Sequence, residues 1–177
     1  MFEWVELDLL RSKQSEYNRS FATAKPFKSL ITEDLVSPQK MRQLSAAFPE
    51  ESWGGWVNKS HEHQYLKKSC TDISLIPEPL RTFIYELNSG PFLKWLSEVT
   101  GIQEVLPDPN LIGGGLHMTG PGGTLTPHTD FHVVKGFSLY RRLNLIIYLN
   151  PEWKLGDGGE SWHRKFEQAV KWETCYL

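Results

Sequence analysis

His128 and Asp130 stand two residues apart inside the stretch from Gly113 to Asn150, GGGLHMTGPGGTLTPHTDFHVVKGFSLYRRLNLIIYLN. On an extended chain, side chains at i and i+2 project to the same side. An imidazole nitrogen and a carboxylate oxygen so placed suit a borderline divalent metal such as Fe(II). Two histidines and one carboxylate on one face of the ion complete a facial triad that leaves positions open. Asp130 would bring charge. His128 would bring a nitrogen whose ring is oriented by a hydrogen bond from its other nitrogen. Taken alone, H-x-D is weak, and a pair on a surface strand is the competing reading. Its surroundings raise the metal reading: a Gly/Pro turn just before it, a strand carrying Tyr148 after it, then Trp153 and Gly158-Gly159-Glu160.

Such residues need a scaffold. The strongest strand signal runs from Arg142 to Leu149, with Leu143, Leu145, Ile147 and Leu149 on one face and Asn144, Ile146 and Tyr148 on the other. Both faces are largely apolar, so this strand is expected to be buried on both sides. From Leu111 onward, short β-type runs are cut by Gly113-Gly114-Gly115, Gly120-Pro121-Gly122-Gly123 and Gly156-Asp157-Gly158-Gly159. Helices come earlier. Leu7, Leu10 and Tyr17 mark one helix face. Ser37-Pro38 supplies an N-cap and a proline at the first helical position, followed by Met41, Leu44 and Phe48. Leu80, Phe83, Ile84 and Leu87 form an i, i+3, i+4, i+7 stripe, and Phe92, Leu93, Leu96 and Val99 a second, ended by Gly101. Residues 27–32 read as a short strand, and residues 51–76 as loops with room for one strand. Helices first and strands later make the fold class α+β.

Composition narrows the function. With 19 basic and 21 acidic residues the net charge is -2, and no basic run offers a footprint for nucleic acid. Two cysteines, Cys70 and Cys175, make no disulfide framework. The N-terminal twenty residues lack an apolar signal core, and no window is apolar enough to span a membrane, so a soluble, cytoplasmic protein is the default expectation. Seven Trp suit core packing or a lined pocket equally.

With these residues in place, the chain resembles the 2-oxoglutarate/Fe(II) dioxygenase superfamily in its prolyl-4-hydroxylase-like branch. The matching string is L-x-x-H-x-D (Leu125, His128, Asp130), then RRLNLIIYLN (Arg141 to Asn150), then W-x-x-x-x-G-G-E (Trp153, Gly158, Gly159, Glu160). The resemblance covers roughly residues 25–162. It implies N-terminal helices packed on a double-stranded β-helix, or jelly-roll barrel, with residues 1–106 as a helical and loop support region and residues 107–177 as the barrel core of the same domain. It implies Fe(II) and 2-oxoglutarate, leaves room for ascorbate, and points to an amino-acyl or small-molecule substrate. His128 and Asp130 match the first two iron ligands. Tyr148 matches a position that in some members hydrogen-bonds the 2-oxoglutarate carboxylate. His117 reads as a packed or pocket-lining histidine, His132 as pocket rim or solvent-facing, and Arg141 and Arg142 as structural or surface charges. His61-Glu62-His63 reads as a solvated loop.

The family's distal His and its Arg have no convincing counterpart. His163 follows the Gly158-Gly159-Glu160 turn too closely, and Arg164 is no better spaced. Eight barrel strands of roughly 8–12 residues with turns need about 64–96 residues. Residues 111–177 reach only the bottom of that range, and KFEQAVKWETCYL does not read as strand: Phe166, Ala169 and Val170 have helical spacing. The barrel is therefore expected to be incomplete at its C-terminal end, with an unpaired sheet edge through which chains could self-associate. Three readings stay open: a dioxygenase, a non-catalytic jelly-roll binding module, and a truncated pseudoenzyme.

Overall fold

The computed structural model describes residues 2–58, 64–126, 130–134, 136, 139–151 and 175–176. His128 and Thr129, the His61-Glu62-His63 loop, Trp153, Gly158 to Glu160, His163, Phe166, Ala169 and Val170 lie outside the described residues.

Among the described residues, five helices lie within the first hundred positions, with strands between them: α1 (Leu7–Ser12), α2 (Gln14–Thr23), α3 (Pro38–Ala46), α4 (Glu78–Leu87) and α5 (Gly90–Thr100). Most of the residues that the spacing selects are buried, while Met41, Phe48, Ile84, Leu87 and Leu93 are half-buried. Leu7, Leu10, Tyr17, Leu44, Leu80, Phe83, Phe92, Leu96 and Val99 are all buried. Phe21 and Trp95, which the spacing argument passed over, are buried with them. α5 ends at Gly101, whose φ of 70° is the left-handed conformation expected of a helix-terminating glycine. Ser37 occupies the N-cap position of α3 and its carbonyl accepts the Met41 N–H at 2.9 Å, but its hydroxyl makes no capping bond. Proline at the helix start is the stronger local determinant there.

The helices are tied together by a few polar anchors. The Glu86 carboxylate of α4 accepts the backbone N–H groups of Glu3, Trp4 and Val5, which pins the N-terminal segment to that helix. Asn18 of α2 donates to the Val99 carbonyl at 2.9 Å near the C-terminal end of α5, satisfying a carbonyl that the helix leaves open. The Tyr17 and Trp95 rings meet edge to face, 6.1 Å between centroids.

The strands are β1 (Ile31–Thr32), β2 (Val57–Asn58), β3 (Gln64–Cys70), β4 (Leu116–Leu125), β5 (Val133–Val134), β6 (Leu139–Tyr140) and β7 (Cys175–Tyr176). They form three antiparallel sheets, β1-β7, β2-β3-β4 and β5-β6. Mixed helix and antiparallel sheet agree with an α+β class. No sheet closes among the described residues, so the jelly-roll barrel is not seen.

Several expectations change. The Gly120-Pro121-Gly122-Gly123 run does not end a strand but lies within β4. Between the pairs Tyr65↔Thr124 and Lys67↔Thr119, Leu66 alone stands opposite residues 120–123. The turn residues are thus accommodated as a bulge, where a proline without an N–H interrupts no regular ladder. Leu66 takes up the other side of the mismatch with φ 52°. The Lys-rich segment read mainly as loop supplies β3, and the C-terminal run expected not to be strand supplies β7, paired with β1 through Ile31↔Tyr176 and Thr32↔Cys175. The strand expected from Arg142 to Leu149 is not formed as a strand among the described residues; of residues 141–150 only Ile146 holds a bridge position. Their apolar parity is real: Leu143, Leu145, Ile147 and Leu149 pack against the core. The opposite face is not buried, and Ile146 is 40% exposed. Cys70 is a free, buried thiol.

Candidate functional site

Asp130 sits just before a short hairpin. β5 and β6 pair through Val133↔Tyr140 and Val134↔Leu139, and the Arg141 N–H donates to the His132 carbonyl at 2.9 Å. Pairing of this kind returns the chain antiparallel to itself. It brings Arg141 and Asn144 back beside Asp130. Arg141 Nη2 lies 3.4 Å from Asp130 Oδ2, and Asn144 Nδ2 donates to the same oxygen at 2.7 Å. Asn144 Oδ1 in turn accepts from Arg141 Nε at 2.6 Å. The guanidinium carbon lies 4.9 Å from the Phe131 ring centroid, in cation–π range. The Asp130 side chain is 39% exposed, so its attraction to Arg141 is screened and its orientation depends more on the geometry of its hydrogen bonds.

The segment that carries Asn144 also carries Tyr148. The Ser45 hydroxyl of α3 donates to the Leu149 carbonyl at 2.7 Å and anchors the far end of this segment. Tyr148 is half-buried and shares the parity of Asn144 and Ile146, opposite the four residues that face the core. His117 lies on β4 opposite Ser69. Enclosure by the surrounding protein, then the Lys67 ammonium, pull its imidazole below the ordinary histidine range, although the residue keeps a solvent-exposed edge. A hydrogen bond with the Gly114 backbone and the charge of Asp130 act in the opposite direction. The Gly114 backbone holds the ring, but His117 is an exposed residue on β4, so the expected packed histidine is not what the structure shows. His132 is exposed and takes part through its carbonyl. Arg142 points to a different place, a cleft of about 530 Å³ that it lines with Lys28, Thr100 and Gln103, and Asp130 is not among the lining residues.

Asp130 is the described member of the proposed ligand pair. Among the described residues, no group of three His, Cys, Asp or Glu side chains is placed to hold a metal ion. The chemistry of Asp130 nevertheless fits Fe(II). It is an oxygen donor of suitable hardness. Its carboxylate is held by amide and guanidinium donors, as ligating carboxylates are held by outer partners.

The sequence reading had not foreseen Asn144 or the contact of Arg141 with Asp130. One signal was present: Asn144 is a polar residue on the face that it shares with Ile146 and Tyr148.

Residues 114–175 match the family model of the 2OG-Fe(II) oxygenase superfamily. The match takes in His128, Asp130, Arg141, Asn144 and Tyr148 and spans less than half of the chain. It supports the 2OG-Fe(II) oxygenase superfamily and a dioxygenase-like function, and that family implies Fe(II) and 2-oxoglutarate. No curated protein and no solved structure matches the chain. Among the described residues, no helix is long and apolar enough to cross a membrane.

Proposed function

We propose that this chain carries an Fe(II)- and 2-oxoglutarate-dependent oxygenase site of the prolyl-4-hydroxylase-like branch. His128 and Asp130 are two of the metal ligands, and Tyr148 faces the cosubstrate. The substrate is amino-acyl or a small molecule. Residues 107–177 form the catalytic part and residues 1–106 support it. The observation that carries this reading is the oriented Asp130 carboxylate, set by Asn144 and Arg141 within the segment that matches the oxygenase family.

With Fe(II) and 2-oxoglutarate bound, such a site couples O₂ activation to hydroxylation of an unactivated C–H bond. The residues of the chain supply the rest. Asp130 offsets part of the metal's charge and presents an oxygen in a fixed plane. The Tyr148 phenol can donate a hydrogen bond to a carboxylate while its ring packs against the wall. Leu143, Leu145, Ile147 and Leu149 root that wall in the core, so the polar groups on the other parity are carried by a supported backbone.

The test is anaerobic Fe(II) titration of wild type, His128→Ala, Asp130→Ala and His163→Ala, followed by succinate formation from 2-oxoglutarate with and without ascorbate. Binding by wild type that is lost in His128→Ala and Asp130→Ala supports the proposal. Loss in His163→Ala as well would add the third ligand. Wild type that takes up no Fe(II) overturns it, and retained 2-oxoglutarate binding without metal would favour a non-catalytic binding module.

A further inference from the structure

We infer that Arg141 and Asn144 are positioning residues, a two-step clamp that presets the Asp130 carboxylate for its metal. The inference rests on the metal reading above and deepens it.

The order of the clamp follows from donor chemistry. A guanidinium has donors only, so Arg141 Nε must meet the oxygen end of the Asn144 amide. That contact, at 2.6 Å, turns the nitrogen end toward Asp130, where Nδ2 donates to Oδ2 at 2.7 Å. An asparagine amide can be turned either way about its last torsion, and here the arginine selects the way that serves the carboxylate. A carboxylate torsion is likewise broad and two-fold when unrestrained. Held by Asn144 and approached on the same oxygen by Arg141 Nη2, Asp130 is kept in one plane before any ion arrives.

Arg141 is itself fixed from three directions. Its backbone N–H is bonded to His132, its guanidinium lies on the Phe131 ring, and the backbone of Gly113 closes against both. A Cβ at position 113 would fall 2.8 Å from Phe131 Cε1 and 2.9 Å from Arg141 Nη1, and φ there is +77°. Position 113 therefore requires glycine twice over, for its backbone conformation and for the room it leaves the arginine. The Gly113 loop and the hairpin thus enclose Arg141, which with Asn144 meets the Asp130 carboxylate. Restricting a ligand group before binding reduces the ordering cost when the ion arrives.

Two variants and a control test the clamp on the full metal-free chain, with Co(II) alone as the probe in calorimetry. Asn144 is exposed, so Asn144→Ala leaves the fold intact. It is expected to weaken Co(II) binding about ten- to a hundred-fold, the range for lost outer partners of a metal ligand. Gly113→Ala is expected to weaken it in the same direction. Arg142→Ala, which has no part in the clamp, leaves it unchanged. The second readout is the Arg141 Nε–H resonance in the metal-free chain, protected from solvent exchange in wild type and exchanging faster in Asn144→Ala. A merely structural role for Asn144 would not change Co(II) affinity. Wild-type binding that Asn144→Ala matches within two-fold overturns the clamp and leaves the metal site standing. Wild type that binds no Co(II), with a protected Arg141 resonance, overturns the metal site and takes the clamp's purpose with it.

Discussion

Tyr17 of α2 offers a prediction that can be worked through in numbers. Its hydroxyl donates to Asp34 Oδ2, which also accepts from Lys13 Nζ at 2.6 Å. The Thr32 hydroxyl reaches the phenol oxygen at 3.4 Å and accepts the Asp34 N–H at 3.1 Å. Burial first, and the bond to Asp34 second, push the Tyr17 phenol up to about 12. An unfolded tyrosine titrates near 10. Above that pH the unfolded chain gives up its proton while the folded chain still holds it, so ionisation favours unfolding. The stability linked to Tyr17 is therefore complete below about pH 10 and is lost as pH rises toward about 12, with a ceiling of about 2 to 3 kcal/mol for a shift of this size. Tyr17→Phe keeps the ring against Trp95 and removes the bond to a charged partner, at a cost of about 1 to 2 kcal/mol at pH 7 because Asp34 keeps Lys13. The two proteins should converge as pH rises, since only wild type loses the Tyr17 contribution. Urea unfolding at several values from pH 7 to pH 11.5, with tyrosinate absorbance followed in parallel, measures this. Alkaline limbs that stay parallel in wild type and Tyr17→Phe would refute the reasoning.

Gly113→Ala should lower stability by about 1 to 2 kcal/mol in urea unfolding, because alanine at a left-handed φ is strained even before Phe131 and Arg141 must move. Trp95, 1% exposed and packed on Tyr17 and Phe92, should cost about 3 to 5 kcal/mol on truncation to alanine, seen as a large drop in Tm. Ser45→Ala removes the bond that anchors Leu149. It should cost about 1 kcal/mol in stability and raise the KM for 2-oxoglutarate more than it changes kcat, because the segment it loosens carries Tyr148.

The helices were legible because their apolar residues recur at a helical period and each such stripe faces the same core. Leu80, Phe83, Ile84 and Leu87 show this directly. The parity of Leu143, Leu145, Ile147 and Leu149 was legible for the same reason, with a period of two. Burial of the opposite face was not, since an apolar side chain such as Ile146 can remain exposed without marking a core. β3 was obscured by its lysines, which suit the exposed positions of a sheet as well as they suit a loop. The run Gly120 to Gly123 signalled a turn, and only pairing with Leu66 shows that the turn is a bulge within a strand. The H-x-D spacing drew attention to Asp130. Its partners come from across the β5-β6 hairpin, and a contact made by chain reversal leaves no trace in local periodicity. Arg141 therefore read as a structural or surface charge with no partner named, and Asn144 as one position on a strand face.

The central claim is that Asp130 belongs to an Fe(II) and 2-oxoglutarate site. Its most direct test is an anaerobic titration of the metal-free chain with Fe(II) at saturating 2-oxoglutarate, followed by visible charge-transfer absorbance, in wild type and Asp130→Ala. A saturable band in wild type, absent from Asp130→Ala at the same concentrations, is the predicted result. No band in wild type, or an equal band in both proteins, would contradict the account.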